Sequence, residues 1–466
     1  MVNKKDLVFH NLNHNYGLIL DPDNVFWAIV CRRQDNIIFP GQILSFYENA
    51  KDKLDAQMSD FRFSANLTAI YINPTDRCNA NCPYCYIPEK IRKYGRSMTK
   101  EELTLILNKI AEYFYARGGV VFSRKKQKRK PVIVFHASEP LLVKDTIFKA
   151  IKAHKDIFHF GLQTNAILLE KKDVEFLKEH RVGIGISLDS HLSSVNNRLR
   201  PSCGLRGNFE SALKAIEWFD GYEGLNVIAT ITKFNVTGLA NMVKFLHNKN
   251  VPCVLLNPVR FTQRTSFSLK PDELIMTKYF IEAVNQAIEL SRSSHRRIII
   301  GNFTNIILGI VAPTARRLMC DISPCGGGRC FLTITASGEM IPCGEFIGLN
   351  GFSGGNIFSA KGGSAYGGKT AIEQAIQSKP FRKVRSRIVE KISECKTCIF
   401  RNICGAPCPA ELHSLGSMYR VAIFCEFYKE IIKHAFKLIA IGKEKYCFRE
   451  KGLDNLKYEY NLGGLG

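Results

Sequence analysis

Between Leu67 and about Arg292, extended apolar runs alternate with helical patterns six times, and this alternation constrains the fold more than any other feature. The extended runs are Leu67–Asn73, Pro131–Ala137, His159–Thr164, Val182–Leu188, Asn226–Thr232 and Cys253–Asn257. They are rich in Val and Ile and short enough to be strands buried on both faces. Helical patterns follow at Thr99–Arg117, Lys144–His154, Lys171–Glu179, Asn208–Asp220, Thr237–Asn248 and Pro271–Ser291. The first opens with Thr99 and Glu102, the spacing of a capping box. Such alternation predicts a parallel sheet with right-handed crossovers. Six units are fewer than the eight of a closed barrel. An open, partial α/β barrel is therefore expected, with its chemistry at the C-terminal strand ends.

The flanks read differently. Residues 1–66 form a small α+β unit with one strand-like run, Phe26–Arg32, and one helical run, Gly41–Met58. The core spans 67–316. A cysteine-rich region with little periodicity covers 317–430, and within it Gly351–Gly368 reads as a flexible excursion. A helix near Glu426–Ile441 leads into the C-terminal segment, 431–466. The longest apolar run, Ile298–Ala315, is interrupted by Gly301, Asn302 and Asn305 and falls short of the roughly 20 residues of a membrane span. The N-terminus lacks the apolar stretch of a secretory signal, so a cytoplasmic protein without a membrane anchor is expected.

Sixty-five Lys and Arg against 42 Asp and Glu leave a formal charge of +23. That excess fits an acidic partner, nucleic acid or peptide, or simply a well-solvated surface. The run from Arg124 to Lys130 reads as a solvated loop. Sixteen cysteines are more telling, because the cytosol keeps thiols reduced and eleven of them fall in tight local groups. Clustered cysteines in a reduced compartment usually bind metal.

The first group, Cys78, Cys82 and Cys85, follows directly on the first strand. Three thiolates leave one iron of a four-iron cubane without a protein ligand, open to a chelating substrate. A zinc knuckle short of its fourth ligand is the competing reading. The spacing resembles the signature of the radical SAM superfamily, whose fold is a partial (β/α)6 barrel. The resemblance implies that S-adenosylmethionine chelates the open iron of a 4Fe-4S cluster and that Tyr84 lies near the adenine. His136-Ala137-Ser138-Glu139-Pro140 occupies the place of a Gly-Gly-Glu-Pro motif, which would put Ser138 and Glu139 near the amino group of S-adenosylmethionine. Thr164 and Asn165 resemble the third-strand motif, with Ala166 where a glycine is usual. Ser187 and Asp189 match ribose contacts, and Arg200 matches an arginine that approaches the carboxylate. Each short motif is weak alone, since such residues at strand ends are often turn formers.

Further cysteines stand at Cys325, Cys330 and Cys343, then at Cys395, Cys398, Cys404 and Cys408, with Cys425 following. Their spacing resembles the SPASM domain, a C-terminal extension of radical SAM maturases that binds two auxiliary 4Fe-4S clusters. By that resemblance Cys325, Cys330, Cys343 and Cys408 hold one cluster, and Cys395, Cys398, Cys404 and Cys425 the other. Cys320 is able to substitute for a neighbour in the first set. Two zinc ribbons are the alternative. Cys31, Cys203, Cys253, Cys320 and Cys447 are assigned no role.

The run around Cys78 looks like that of cysteine-rich-peptide maturases of the selenobiotic or Cys-repeat type. This implies a precursor peptide with a leader, held by residues 1–66, in which a thioether or related crosslink is made. A reductant such as flavodoxin or ferredoxin is implied as well. Glu345, two residues after Cys343, is the candidate base; the usual place, directly after that cysteine, holds Gly344. Two other readings compete: an anaerobic sulfatase-type maturase oxidising Cys or Ser in a protein, and a non-catalytic zinc module binding nucleic acid, which is the less expected partner.

Overall fold

The computed structural model describes residues 6–31, 41–115, 121–122, 128–202, 204, 206–359 and 369–449. Most of the basic run at 124–130, part of the Gly-rich excursion, the C-terminal tail and Cys203 lie outside them. The six expected strands form at Ala69–Ile72, Val132–Phe135, His159–Thr164, Gly183–Ser187, Leu225–Ile231 and Cys253–Pro258. They are neighbours in chain order, and every pair is parallel. Their crossover helices are Lys100–Tyr115, Lys144–His154, Lys171–Glu179, Phe209–Phe219, Leu239–Asn248 and Glu273–Ser293. The capping box closes as expected: Glu102 N donates to Thr99 Oγ1 at 3.1 Å and Thr99 N to Glu102 Oε2 at 2.9 Å. Ile70, Ile133, Phe135, Leu162, Ile184, Val227 and Leu256 bury themselves between sheet and helices, which is where the apolar runs go.

The sheet is longer than six strands. Phe331–Ile334 pairs in parallel with the first barrel strand, and Met340–Ile341 adds an antiparallel edge beyond it. Ile299–Ile300 forms the opposite edge, so the sheet stays open. Part of the cysteine-rich region thus continues the barrel sheet instead of standing apart. Three apolar residues and a threonine, flanked by glycines and cysteines, carry too short a pattern to betray a strand. The apolar run after Ile298 becomes the buried helix Gly301–Val311. Among the described residues no helix is long and apolar enough to cross a membrane.

At the N-terminus, Val8–Asn11, Tyr16–Leu20 and Trp27–Cys31 make an antiparallel meander beside the helix Gly41–Phe63. Only the last of these strands is legible in advance. The meander is tied to distant parts of the chain. Trp27 Nε1 donates to Ile310 O at 2.9 Å, and its ring meets Phe436 edge-on. Arg62 Nε donates to Ser323 O at 2.6 Å, and Asn402 Nδ2 donates to the carbonyls of Pro22 and Asp23 at 3.0 and 3.1 Å. Asp23 also pairs with Arg401 at 2.6 Å.

Candidate active site

Cys78, Cys82 and Cys85 lie on the loop leaving the first barrel strand, at the C-terminal end of the sheet. Buried Arg92 organises this loop from inside. Its Nη1 donates to Ala80 O and Asn81 Oδ1 at 3.2 and 3.1 Å, and its Nε to Ile87 O at 3.1 Å. Cys78 N returns a bond to Arg92 O at 3.1 Å, Cys85 N bonds Cys82 O at 3.1 Å, and Asn81 N bonds Pro201 O at 2.8 Å. Burial pushes the Cys78 thiol up to about 12 and the Cys82 thiol up to about 11. Cys78 senses both Cys82 and Cys85, while Arg200 and Arg92 act on Cys82 and Cys85. Without metal these thiols hold their protons, so loading iron would release them. Among the described residues no three His, Cys, Asp or Glu side chains close around a single ion. Thiolates of a cubane ligate separate irons, and three of them on one loop suit such a cluster with one iron left open.

The next strand ends gather beside the loop. Glu139 is fully buried, and its carboxylate accepts from Thr164 Oγ1 and Asn165 N at 2.8 Å each and from Leu141 N at 3.0 Å. Burial raises it to about 7 against these three bonds. Asn165 Nδ2 reaches Asn79 Oδ1 within the cysteine loop at 2.7 Å, and Ser138 Oγ donates to Asp76 O at 2.7 Å. Glu139 is therefore spent on holding strand ends together. The backbone around it presents itself to the loop. Ala137, Ser138 and Ala166 all have positive φ (67°, 50° and 65°), so the left-handed conformation persists where glycine is usual.

Tyr84, Asp189 and Arg200 form a second cluster. The Tyr84 hydroxyl donates to Asp189 Oδ2 in a short bond. Arg200 lies 2.9 and 3.1 Å from the two Asp189 oxygens, with its guanidinium 5.5 Å from the Tyr84 ring. Asp189 also accepts from Thr230 N at 2.8 Å, and its own N–H and C=O are bound by Asn196 and Asn235. Asp189 acts as a buried hub in this arrangement. Ser187 lends its carbonyl to Asn208.

The remaining cysteines sort into two neighbourhoods. Cys395, Cys404 and Cys425 each sense Cys398, and Cys395 and Cys404 sense Cys425. In the other set, Cys320 senses Cys325 and Cys408, and Cys343 senses Cys320 and Cys325. A bond from Gly326 N to Met319 O (2.9 Å) closes the loop that carries Cys320 and Cys325. Cys325 Sγ and Cys343 Cβ both lie against Gly327. Buried Cys330 ends the turn before the strand Phe331–Ile334, its carbonyl accepting from Thr68 N.

Between the first cysteine loop and this set stands a polar group that the sequence reading mostly missed. Arg260, just beyond the sixth barrel strand, lies 3.4 Å from Glu345 and 3.6 Å from Glu411. Glu411 also accepts from Phe261 N at 2.9 Å. Burial raises Glu345 and Arg260 opposes it; Glu345 in turn acts on Cys85, Cys343 and Cys408. Among the described residues the buried Glu345 Oε2 and Tyr86 Oη have no hydrogen-bond partner. The His136 ring stacks on Tyr86 at 6.5 Å, and burial lowers it to about 4, so the imidazole is neutral. A Cβ on Gly344 would sit about 3.5 Å from that ring. Glu345 is the member the sequence offers; Arg260, Tyr86 and Glu411 carry no local motif, and His136 begins the His136–Pro140 motif without a role of its own there.

Comparison with known proteins agrees with this architecture. Residues 72–246 match the radical SAM superfamily. An uncharacterized protein of Archaeoglobus fulgidus is 43% identical over 95% of this chain and 96% of its own. The cysteine-type anaerobic sulfatase-maturating enzyme of Clostridium perfringens is 23% identical, covering 77% of this chain and 93% of the relative. Among solved structures, anSMEcpe with bound AdoMet superposes with a TM-score of 0.67 at 17% identity, over 84% of this chain and 99% of that one. Streptococcus suis SuiB bound to the precursor peptide SuiA gives 0.56 at 16% identity, over 91% and 99%.

Proposed function

The chain belongs to the radical SAM superfamily and is an enzyme using S-adenosylmethionine and 4Fe-4S clusters, and from that premise we propose that it is a maturase acting on a polypeptide substrate. The observation that carries this reading is the placement of Glu345. Its unpartnered, buried Oε2 stands between Cys85 and the Cys343–Cys408 neighbourhood.

In this reading Cys78, Cys82 and Cys85 hold the cluster that binds S-adenosylmethionine. Cys320, Cys325, Cys343 and Cys408 hold one auxiliary cluster, and Cys395, Cys398, Cys404 and Cys425 the other. Cys330, in the buried turn before the strand Phe331–Ile334, is given no ligand role in this reading, unlike the assignment drawn from spacing alone. When bound, the cluster and S-adenosylmethionine supply a 5′-deoxyadenosyl radical that takes hydrogen from an unactivated substrate carbon. The backbone of Ala137–Glu139 and the Thr164–Asn165 end shape the methionine side of the pocket. Tyr84, fixed by Asp189, walls the nucleoside side, and Arg200 keeps the carboxylate of Asp189 neutralised. Glu345 takes a proton from the substrate, with Arg260 holding the carboxylate in place and opposing the upward shift that burial causes. Neutral His136 and Tyr86 line the path and exclude water.

Two products fit. One is a thioether or related crosslink within a cysteine-rich precursor peptide. The other is the oxidation of Cys or Ser in a protein, as in the sulfatase-maturating relative. The test is anaerobic reconstitution followed by reaction with synthetic cysteine-containing peptides. Peptide-dependent 5′-deoxyadenosine formation supports a maturase, and its absence with every peptide and protein offered counts against one. Mass spectrometry separates the products, since a crosslink removes two hydrogens whereas formylglycine from cysteine also loses sulfur.

A further inference from the structure

Part of the positive charge lines one side of the barrel mouth. Arg198 is exposed and stacks its guanidinium 3.7 Å from the centre of the Phe234 ring. Exposed Lys233 reaches the same ring at 5.2 Å. Lys233 N also bonds Leu269 O at 2.9 Å, which brings Lys270 alongside, 5.7 Å from the Phe424 ring. Among the described residues none of Arg198, Lys233 and Lys270 forms an ion pair with an acidic side chain. Like charges gathered in this way repel one another until a counter-charge arrives. The rings hold the cations in place, so little freedom is lost when one does.

Leu192 and Phe267, about half exposed at 51% and 49%, interrupt the charges with apolar surface. The rim is also joined to the site. The turn carrying Lys233 and Phe234 is fastened by Asn235 Nδ2 to Asp189 O at 2.7 Å, and Arg198 is two residues from Arg200. Its far end, Phe424, precedes Cys425.

We propose that this rim binds an acidic stretch of the substrate polypeptide and so delivers the neighbouring residues into the barrel mouth. Charge selects an anionic partner, and the rim adjoins the site read as taking a polypeptide, so an acidic polypeptide is the occupant; a nucleic acid, whose bases stack on exposed rings such as Phe267, is an outcome of the test. The inference rests on reading the substrate as polypeptide, but binding is measured without turnover, so the two fail separately.

The experiment uses the reconstituted full-length enzyme and a fluorescent peptide of alternating Glu and Ala, with its Gln counterpart as control. Anisotropy should show the Glu peptide binding at least about tenfold tighter, and this advantage should shrink between about 50 and about 300 mM NaCl. The double variant Lys233→Glu, Lys270→Glu should lose the preference while keeping its iron content and circular dichroism. Lys233→Arg should keep the preference. Equal affinity for Glu and Gln peptides overturns the proposal. So does a charge-reversed enzyme that still prefers the Glu peptide, or an oligonucleotide of matched charge that binds more tightly than the peptide.

Discussion

Arg260 stands 3.4 Å from Glu345, and through a second contact at 3.6 Å it joins Glu411, so one guanidinium links the segments after Cys343 and Cys408 to the barrel. Removing it leaves two neighbouring carboxylates that repel each other. Arg260→Gln should destabilise by roughly 1–3 kcal/mol, less than the ~3–5 of a fully buried broken pair because both side chains keep some solvent contact. Thermal denaturation measures this, and Arg260→Lys should recover part of the loss.

Glu139 makes folding depend on pH. Its folded value, about 7, lies above the ordinary 4.5, so the native state binds more protons than the unfolded one between those limits. Stability contributed by its protonated form is complete below the ordinary value and declines as pH rises through the folded value. The decline should amount to about 3 kcal/mol. Chemical denaturation of the metal-free protein from pH 4.5 to 8 would reveal it. Glu139→Gln should flatten that profile.

Ala137, with φ at 67°, occupies a conformation that an L-residue adopts at a cost of roughly 1–2 kcal/mol. Glycine removes the strain but brings about 0.5–1 kcal/mol of unfolded-state entropy. Ala137→Gly should therefore be neutral or slightly stabilising in denaturant titrations. A branched residue, as in Ala137→Val, should destabilise by about 1–3 kcal/mol.

Much of this molecule is legible in advance, for definite reasons. The six buried parallel strands are continuous apolar runs, and their crossover helices carry strong periodicity, so both survive without tertiary information. The Cys78–Cys85 loop is local and reads directly. What escapes is whatever depends on contact between remote segments. Val8–Asn11 and Tyr16–Leu20 are short strands that gain stability only by pairing with each other and with Trp27–Cys31. Phe331–Ile334 becomes a strand because Ala69–Ile72 offers it an edge. Arg260 and Glu411 are ordinary charged residues until the fold places them together. Arg200 reads as an anion ligand by motif, yet its fork is already engaged by Asp189.

The choice between Cys320 and Cys330 gives a sharp measurement. Cys320→Ala should cost about four irons of the roughly twelve that three cubanes hold, and Cys330→Ala should cost none. Iron analysis after anaerobic reconstitution decides it. The reverse pattern restores the assignment based on spacing.

The Asn402 side chain, between Cys398 and Cys404, donates two bonds to the N-terminal turn at Pro22 and Asp23. Asn402→Ala should leave those carbonyls unmatched at about 1–3 kcal/mol and lower iron toward about eight per chain. The primary site should still bind S-adenosylmethionine, as read by equilibrium dialysis.

The Asp23–Arg401 pair spans 378 positions. A ribosome makes the N-terminal turn first and its partner near the end, while chains fold largely in the order they emerge. The barrel strands from Ala69 to Pro258 are all available before the Cys395–Cys425 segment exists. The cluster site proposed for Cys395–Cys425 can take its final shape only after nearly the whole chain has left the ribosome. A shortened or stalled chain would keep a barrel and its first cysteine loop but lack the ligands and the anchor of that last site.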